Sequence, residues 1–293
     1  MKDFGLIVVD KPIGPTSHHI VSVVRTGTGI RKVGHAGTLD PRASGVLVLC
    51  LGHATRLSEY LSTSTKGYQA VVRFGTATRT YDGDGDVTRH TGDTPELSAI
   101  ESALPAFVGT LEQVPPPFSA IKVAGRKAYE LARRGEEVEL GPRTVTVAVL
   151  EVDSYQPPDL AIRVECSAGT YIRSLAHDLG ERLGCGAHLW ALRRTRAGPF
   201  TLTDAVSLSD LQAGFRDGSW ETHVRPASDA IVGLPRVEIS AEGWSHIRNG
   251  NPITSRGGAE GLAAGIGPDG NLVAILEAQA DGQMWHPRKV FLS

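Results

Sequence analysis

The run from Val33 to Cys50, V-G-H-A-G-T-L-D-P-R-A-S-G-V-L-V-L-C, passes from a basic, glycine-broken segment through one acid, Asp40, into an apolar strand. The part V46-L-V-L-C-L51 is apolar throughout, which is typical of a strand covered on both faces. An aspartate before a proline commonly forms a turn, and Pro41 favours extended backbone at Asp40. The acid is therefore either a structural turn residue or a carboxylate that faces whatever docks beside the sheet.

Apolar periodicity elsewhere predicts short strands mixed with amphipathic helices. Strands are predicted at L6-I-V-V9, Y68-Q-A-V-V-R-F74, R143-T-V-T-V-A-V-L150 and A161-I-R-V-E-C166. Helices are predicted to begin at an N-cap of Thr16 or Ser17, at Thr94 followed by Pro95, and over A128–R134 and T170–L183. The irregular alternation predicts an α+β fold with a mixed sheet, not a doubly wound one.

A change in composition after about Ile231 predicts a second domain. Short alternating strands at R236–S240, N271–L276 and R288–L292, separated by glycine-rich turns, are typical of a small β-barrel-like domain. The expected division is 1–232 and 233–293, with a linker from Val224 to Pro235. Residues from about 115 to 142 are basic and polar, and we expect them to form a surface insertion.

The cysteines and the hydropathy pattern exclude several protein classes. Cys50, Cys166 and Cys185 are far apart, so a disulfide or zinc framework is not expected and a reducing cytoplasm is the predicted setting. The first apolar run is too short for a signal peptide, and no stretch approaches the length of a membrane span. The chain is therefore expected to act without a membrane.

Positive charge is unevenly distributed on a chain whose net charge is −2. The stretches from Lys11 to Leu39 and from Arg182 to Gly198 each carry four basic residues and no acid. Two such stretches indicate either one positive face for a phosphate backbone or two ordinary solvated faces.

The sequence offers no convincing metal or nucleotide site. The run Y81-D-G-D-G-D-V-T-R-H-T-G-D93 has the alternating acids of a calcium loop, but Val87 stands where glycine is needed and Asp93 where a bidentate Glu belongs. It is better interpreted as an acidic surface hairpin. Neither a dinucleotide loop, a phosphate-binding P-loop nor a base-deaminase signature is present. The chemistry is therefore expected to need no cofactor and no metal.

The run G34-H-A-G-T-L-D-P-R-A-S-G45 resembles the catalytic motif of the TruB family of tRNA pseudouridine synthases. Further blocks agree in order and spacing: K66-G-Y68, the run P-P-F-S-A-I-K from Pro116 to Lys122 with A128–G135, and C166-S-A-G-T-Y-I-R173 with L183–R194. The last sixty residues resemble a PUA RNA-binding domain more weakly. Arg42 and Ala168 depart from the residues that the family more often has.

The resemblance implies a pseudouridine synthase fold, with a largely antiparallel sheet flanked by helices. It also implies a site in which Asp40 is the nucleophile or charge stabiliser, Arg173 pairs with it, and Tyr68 stacks on the target uracil and assists proton removal from C5. Tyr171 and Leu192 would line the pocket, His35 would fill the space that the flipped nucleotide leaves, and Lys122 would clamp the RNA. Structural alternatives remain for several of them: a surface helix arginine for Arg173, a tyrosine that caps the core for Tyr68, a loop histidine for His35 and core packing for Leu192.

The implied substrate is a uridine in the T loop of tRNA, position 55, which must be flipped out to reach these groups. The chain would act as a monomer on the T arm and would need no protein partner. Two alternatives remain open: the catalytic subunit of a guide-RNA pseudouridylation complex, and a tRNA-folding or RNA-binding module that performs no chemistry.

Overall fold

The computed structural model describes residues 4–119, 121–123, 125–132, 134–136, 139–255 and 258–291, with the backbone alone at 122, 123 and 127. The α-helices are α1 (Ser17–Thr28), α2 (Ser58–Ser62), α3 (Leu97–Ala103), α4 (Ala128–Ala132), α5 (Ile172–Arg182), α6 (Leu208–Asp217) and α7 (Ala241–Arg248). Within these ranges, no helix is both long and apolar enough to cross a membrane.

A large mixed sheet forms the body of the molecule. Its strands are β1 (Phe4–Lys11), β2 (Val33–His35), β3 (Ala43–Gly52), β4 (Lys66–Phe74), β7 (Gly109–Gln113), β10 (Arg143–Gln156), β11 (Asp159–Cys166), β12 (Ala187–Ala197), β13 (Phe200–Thr201), β14 (Val206–Ser207) and β15 (Arg225–Pro226). They run in the order β14-β1-β3-β12-β4-β11-β10-β7, with β2, β13 and β15 paired to β3, β12 and β1. Only β1–β14 and β3–β12 are parallel among these described pairings, so the predicted mixed, largely antiparallel sheet is confirmed.

Apolar side chains pack against this sheet in separate clusters. One cluster joins β1 and β3 to α1 and α6, with Ile20, Leu47 and Leu211 fully buried. A second joins β4 and β11 to α3 and α5, with Ile162 and Leu179 fully buried. Helix α5 is therefore fixed firmly to the sheet, which matters because its first turn carries Arg173.

Two short ribbons lie off the large sheet. One pairs β5 (Thr76–Thr78) with β6 (Val87–His90), and the other pairs β8 (Lys122–Val123) with β9 (Arg126–Lys127). The second ribbon belongs to the predicted insertion. Gln113 and Arg143 are partners at the adjoining ends of β7 and β10, so the intervening residues leave and rejoin the sheet at one point.

The C-terminal strands form a separate sheet in the order β16-β18-β19-β20-β17. Their bounds are β16 (Arg236–Glu238), β17 (Ile253–Thr254), β18 (Leu262–Ile266), β19 (Leu272–Ala278) and β20 (Met284–Val290). The sheet and α7 share one core around Ile247 and Trp285. A PUA-like C-terminal sheet was expected, whereas α7 and β18 were not.

Three features differ from the sequence-based expectations. Helix α3 has Glu96 as its N-cap and not Thr94, and Glu96 makes no side-chain capping bond there. The expected linker contains β15 and a 3-10 helix, Ala227–Ile231, that is packed into the core. Lys11 and Arg194 come from the two basic stretches yet are buried, so these two charges do not contribute to a positive surface.

Candidate active site

A cavity of about 280 Å³ opens between the loop before β3, the start of α5, the first residues of β4 and the middle of β12. Its wall contains five of the predicted site residues: Asp40, Tyr68, Tyr171, Arg173 and Leu192. The side chain of Asp40 is 45% exposed and is therefore open to a ligand in this space. These residues come from four separate segments of the sequence, and the fold brings them to one surface.

The loop that carries Asp40 is held by its backbone. The buried guanidinium of Arg194 donates to the carbonyl oxygens of Gly37 (3.1 Å), Thr38 (3.2 Å) and Val46 (2.7 Å). Burial lowers the pKa of Arg194, since the low dielectric disfavours the charged form. Arg194 can approach because Gly45 has φ 102°, and a Cβ there would lie 2.1 Å from the Arg194 carbonyl oxygen.

The N-terminal segment holds the other side of the same loop. The buried Ser17 hydroxyl donates to the Leu39 carbonyl oxygen (2.9 Å) and accepts from the Leu39 N–H (2.8 Å). The Pro41 carbonyl oxygen accepts from the Gly14 N–H (2.8 Å) and from Lys11 Nζ (3.4 Å). These bonds on either side of Asp40 fix the direction in which its carboxylate leaves the chain.

The side chain of Lys11 is fully buried near Asp40. Burial lowers the pKa of Lys11 to about 8, although the Asp40 charge opposes that shift. Its nitrogen also donates to the carbonyl oxygens of Pro12 and Pro15, at 2.9 Å each. Lys11 therefore joins the first loop of the chain to the Asp40 loop.

Arg173 is the centre of the site's hydrogen bonding, with a side chain only 8% exposed. Its Nε lies 3.2 Å from Asp40 Oδ2. Its Nη1 donates to the Thr80 carbonyl oxygen (3.2 Å) and to Asp82 Oδ2 (3.4 Å), and its Nη2 donates to the Phe118 carbonyl oxygen (3.1 Å). The planar guanidinium therefore has one edge on Asp40 and the others on fixed protein acceptors, which restricts its orientation.

Asp82 is a site residue that the sequence analysis did not single out. It is the first acid of the supposed calcium-like run, and its side chain is 14% exposed, against 56% for Asp84. Thr80 Oγ1 donates to Asp82 Oδ1 (2.5 Å), as does the Asp84 N–H (3.1 Å). The hairpin therefore supplies a second carboxylate to Arg173 while Asp84 pairs with Arg42 at the surface (2.8 Å).

Tyr68 lies on β4 beside the central strand β12. The register pairs Tyr68 with Arg194, and Arg194 with Gly45 of β3, so the tyrosine and the Asp40 loop flank the same guanidinium. Burial raises the pKa of the Tyr68 phenol, and the nearby Arg194 opposes that rise only in part. The phenol is therefore protonated at neutral pH.

The first turn of α5 and the end of β7 are joined by Gln113, another residue that sequence reasoning missed. Its side-chain amide accepts from the Tyr171 N–H (2.8 Å) and donates to the Tyr171 carbonyl oxygen (3.0 Å). This fixes the backbone of the residue that caps α5, two positions before Arg173. Leu192, half-buried on β12, provides an apolar part of the wall.

Lys66 also lines the cavity, although only its motif, K66-G-Y68, was noted from the sequence. Its buried Nζ donates to the carbonyl oxygens of Leu61 (3.0 Å) and Ser62 (3.1 Å) at the end of α2. Burial lowers the pKa of Lys66 to about 8, with a further contribution from Arg194. This puts a partly titrating amine in the wall of the site near pH 8.

Two predicted residues stand apart from this group. His35 is half-buried on β2 opposite Leu49 of β3 and does not line the cavity. Burial lowers its pKa, and Arg194 adds to this. Lys122 lies in β8. The structure does not describe its side chain, so the predicted contact of Lys122 with RNA falls outside the described residues.

Family models match almost the whole chain. The description "TruB family pseudouridylate synthase (N terminal domain)" matches residues 25–172. The "tRNA pseudouridylate synthase B C-terminal domain" matches 173–231, and "tRNA Pseudouridine synthase II, C terminal" matches 234–292.

Similar proteins and structures agree with these matches. A tRNA pseudouridine synthase B of Dehalococcoides mccartyi is 42% identical, over 98% of this chain and 96% of its own. One of Pseudomonas fluorescens is 40% identical, over 99% and 96%. A solved structure of a Cbf5-Nop10-Gar1 complex has a chain that is 32% identical, with a TM-score of 0.77, covering 99% of this chain and 86% of that one. On these matches, the chain belongs to the TruB family of pseudouridylate synthases.

Proposed function

We propose that this protein isomerises uridine to pseudouridine in tRNA, at position 55 of the T loop. The observation that carries the proposal is the Asp40–Arg173 pair, 3.2 Å apart on the wall of a cavity of about 280 Å³. Family membership supports the reaction, since the named relatives are tRNA pseudouridine synthases. The setting we propose is the cytoplasm, with the chain acting as a monomer.

The reaction breaks the bond between C1′ and N1, rotates the uracil and joins C5 to C1′. The proton on C5 is lost and N1 ends protonated, so no atoms are gained or lost overall. Positive charge develops at C1′, and a fixed carboxylate stabilises such charge, as in glycoside hydrolysis. We assign this role to Asp40, either by attack on C1′ or by promoting a glycal, with Arg173 as the residue that aims it.

The remaining lining residues suit a flipped base. A stacked uridine cannot reach Asp40, so the nucleotide has to leave the stack. Tyr68 provides an aromatic face for uracil, and Tyr171 and Leu192 exclude water from the reacting sugar. Since the Tyr68 phenol is protonated at neutral pH, we assign it stacking and hydrogen bonding, with C5 deprotonation requiring a further acceptor.

Outside the cavity, we propose that the chain contacts the T arm through its insertion and its C-terminal domain. The insertion at about 115–142 borders the site, because its Phe118 carbonyl oxygen binds Arg173 (3.1 Å). Lys122 and the basic residues near it would contact phosphates, and residues 233–293 would form a PUA-like RNA-binding domain. His35 would brace the loop whose base has been flipped.

Tritium release from a tRNA transcript labelled at C5 of uridine tests the function. The wild type should release one tritium per tRNA, and a transcript with cytidine at position 55 should release none. The Asp40→Asn protein should be inactive while binding tRNA. The matched control is Asp84→Asn, because Asp84 is an exposed acid outside the cavity.

Three results would overturn parts of this proposal. Full turnover by Asp40→Asn would remove the assigned nucleophile. Binding without tritium release would favour an RNA-folding module, and release that requires added guide RNA and partner proteins would favour the guide-RNA complex. Mapping modified positions across total tRNA after a single turnover would establish the target.

A further inference from the structure

Three side chains on one face of α5 contact the ribbon β5–β6 and the turn between its strands. The helix residues recur every four positions and therefore share that face. The contacts are Arg173 with Asp82 (3.4 Å), the ring of His177 with that of Tyr81 (3.8 Å between centroids), and Glu181 with Arg89 (2.6 Å). The first contact belongs to the site described above, and the third is half-exposed. The contact between Tyr81 and His177 has no role in the site as described so far.

The Tyr81–His177 stack is close and nearly parallel, with 5° between the ring planes. Tyr81 has φ 64°, the only non-glycine residue with positive φ in the described part of the chain. A bulky residue rarely adopts this conformation, so surrounding contacts must hold it. Burial lowers the pKa of His177, so its ring is neutral at pH 7 and stacks as an uncharged aromatic group.

The backbone conformation of Tyr81 sets where the next residue, Asp82, points. The Asp82–Arg173 contact is long at 3.4 Å and cannot by itself hold the turn against the helix. The Tyr81 N–H donates to Thr78, and the Tyr81 carbonyl oxygen accepts from the Leu189 N–H (2.9 Å), so the turn is attached to β12 as well. Arg173 itself also donates to the Thr80 carbonyl oxygen in this turn (3.2 Å), and the stack adds an attachment to α5 four residues after Arg173.

We propose that Tyr81 is a positioning residue: by stacking on His177 it holds Asp82 against Arg173 and so keeps Arg173 directed at Asp40. The effect on catalysis rests on the proposed function. Tyr81 touches neither the cavity nor the substrate space, so its loss should lower kcat and leave tRNA affinity unchanged.

The main test compares Tyr81→Gly with Tyr81→Phe. Glycine removes the ring but accepts the positive φ without strain, so the protein should still fold, as a melting curve would verify. We expect Tyr81→Gly to lower the single-turnover rate about tenfold, with the Kd for tRNA within about twofold of wild type. Tyr81→Phe should be close to wild type, because the ring is retained.

Two further variants separate positioning from general loosening. In an Asp82→Asn background, Tyr81→Gly should add less than about twofold, since both changes act through one contact. Glu181→Gln removes the outer ion pair and should keep the wild-type rate. The proposal is overturned if Tyr81→Gly is fully active, if its effect is undiminished in the Asp82→Asn background, or if Glu181→Gln is equally impaired.

A measurement without RNA keeps this inference distinct from the function. The Nε–H of Arg173, which faces Asp40, should give a slowly exchanging NMR signal in wild type and Tyr81→Phe but not in Tyr81→Gly. If the wild type released no tritium, the proposed function would fail while this signal would still decide the role of Tyr81. An unchanged Arg173 signal in Tyr81→Gly would overturn the positioning role of Tyr81.

Discussion

The choice between Asp82, Asp84 and Asp86 illustrates what residue identity alone leaves undecided. The three acids alternate with single residues, and nothing in their spacing says which one turns inward. The structure distinguishes them because Tyr81 takes a positive φ that directs Asp82 to Arg173. By contrast, the glycines and proline around Asp40 indicate a special backbone position even without a fold. They left a structural turn and a reacting carboxylate both open, and only the family resemblance implied the reacting one.

The sequence was also insufficient to predict which cationic side chains are buried. Lys11, Lys66 and Arg194 look like surface charges in the sequence, yet all three are buried and bind backbone carbonyl oxygens. A carbonyl group belongs to every residue, so no partner side chain marks such a cation in advance. The positions of acidic residues in the sequence therefore could not predict where these three cations lie in the fold.

The depressed pKa of Lys66 leads to a prediction about stability against pH. The unfolded chain keeps this proton to a pH near 10.5, whereas the folded chain loses it from about pH 8. The charged form therefore weakens the folded state below pH 8, and this penalty disappears as the pH rises from 8 towards 10.5. Relative to Lys66→Met, the wild type should gain about 1–2 kcal/mol of unfolding free energy between pH 7.5 and 9.5.

Urea unfolding of both proteins at the two pH values measures this change. The comparison cancels the other titrating groups, because they are common to both chains. A difference in unfolding free energy that stays constant with pH would show that Lys66 keeps its ordinary pKa when buried.

At the scale of elements, periodic segments were predicted well and segments with buried polar residues were not. Helix α1 and strand β3 lie close to the predicted positions, because their apolar residues follow the periods of a helix and a buried strand. Strand β12 was not predicted, since its second half contains arginines in place of an apolar pattern. Its Arg194 faces inward for a reason that only the Asp40 loop explains.

Thr16 and Ser17, neighbours at the start of α1, make different hydrogen bonds. They therefore form a matched pair of sites for mutation. Thr16 caps the helix by accepting from the His19 N–H (3.0 Å), whereas Ser17 turns inward to Leu39. Ser17→Ala would leave a buried N–H and a buried carbonyl oxygen without their partner, at a cost of about 2–3 kcal/mol. Thr16→Ala should cost about 1 kcal/mol.

The activities of the two variants should separate more clearly than their stabilities. Ser17→Ala loosens the residue next to Asp40, so its kcat should fall about tenfold or more, and Thr16→Ala should keep the wild-type kcat. Chemical denaturation and single-turnover tritium release measure the two effects. Equal kcat values for both variants would mean that the Leu39 bonds do not orient Asp40.

At the scale of the whole molecule, the two sheets share a hydrophobic core. Phe291 is buried, stacks on Phe4 of β1 at 5.1 Å between ring centroids, and packs in the cluster that contains Leu6 and Ile275. Composition indicated a second unit after about Ile231, but side-chain packing between distant segments has no signature in a single sequence. The expected linker proved to be part of this shared core.

The shared core predicts that both sheets unfold together. Phe291→Ala should lower the free energy of unfolding by about 3–5 kcal/mol. Far-UV circular dichroism and tryptophan fluorescence should give coincident urea transitions in the wild type. The control is Val232→Ala, since Val232 is 70% exposed and its loss should change stability by less than about 0.5 kcal/mol. Two separate transitions in the wild type would show that the sheets are independent units.

The insertion of β12 between β3 and β4 also sets how much of the chain must be made before the site can form. Asp40 emerges early, while the arginines that clasp its loop and aim its carboxylate belong to the second half of the chain. A growing chain that ends before β12 therefore lacks the bonds by which Arg194 holds the Asp40 loop. We expect such an incomplete chain to be inactive, because its carboxylate has no fixed direction.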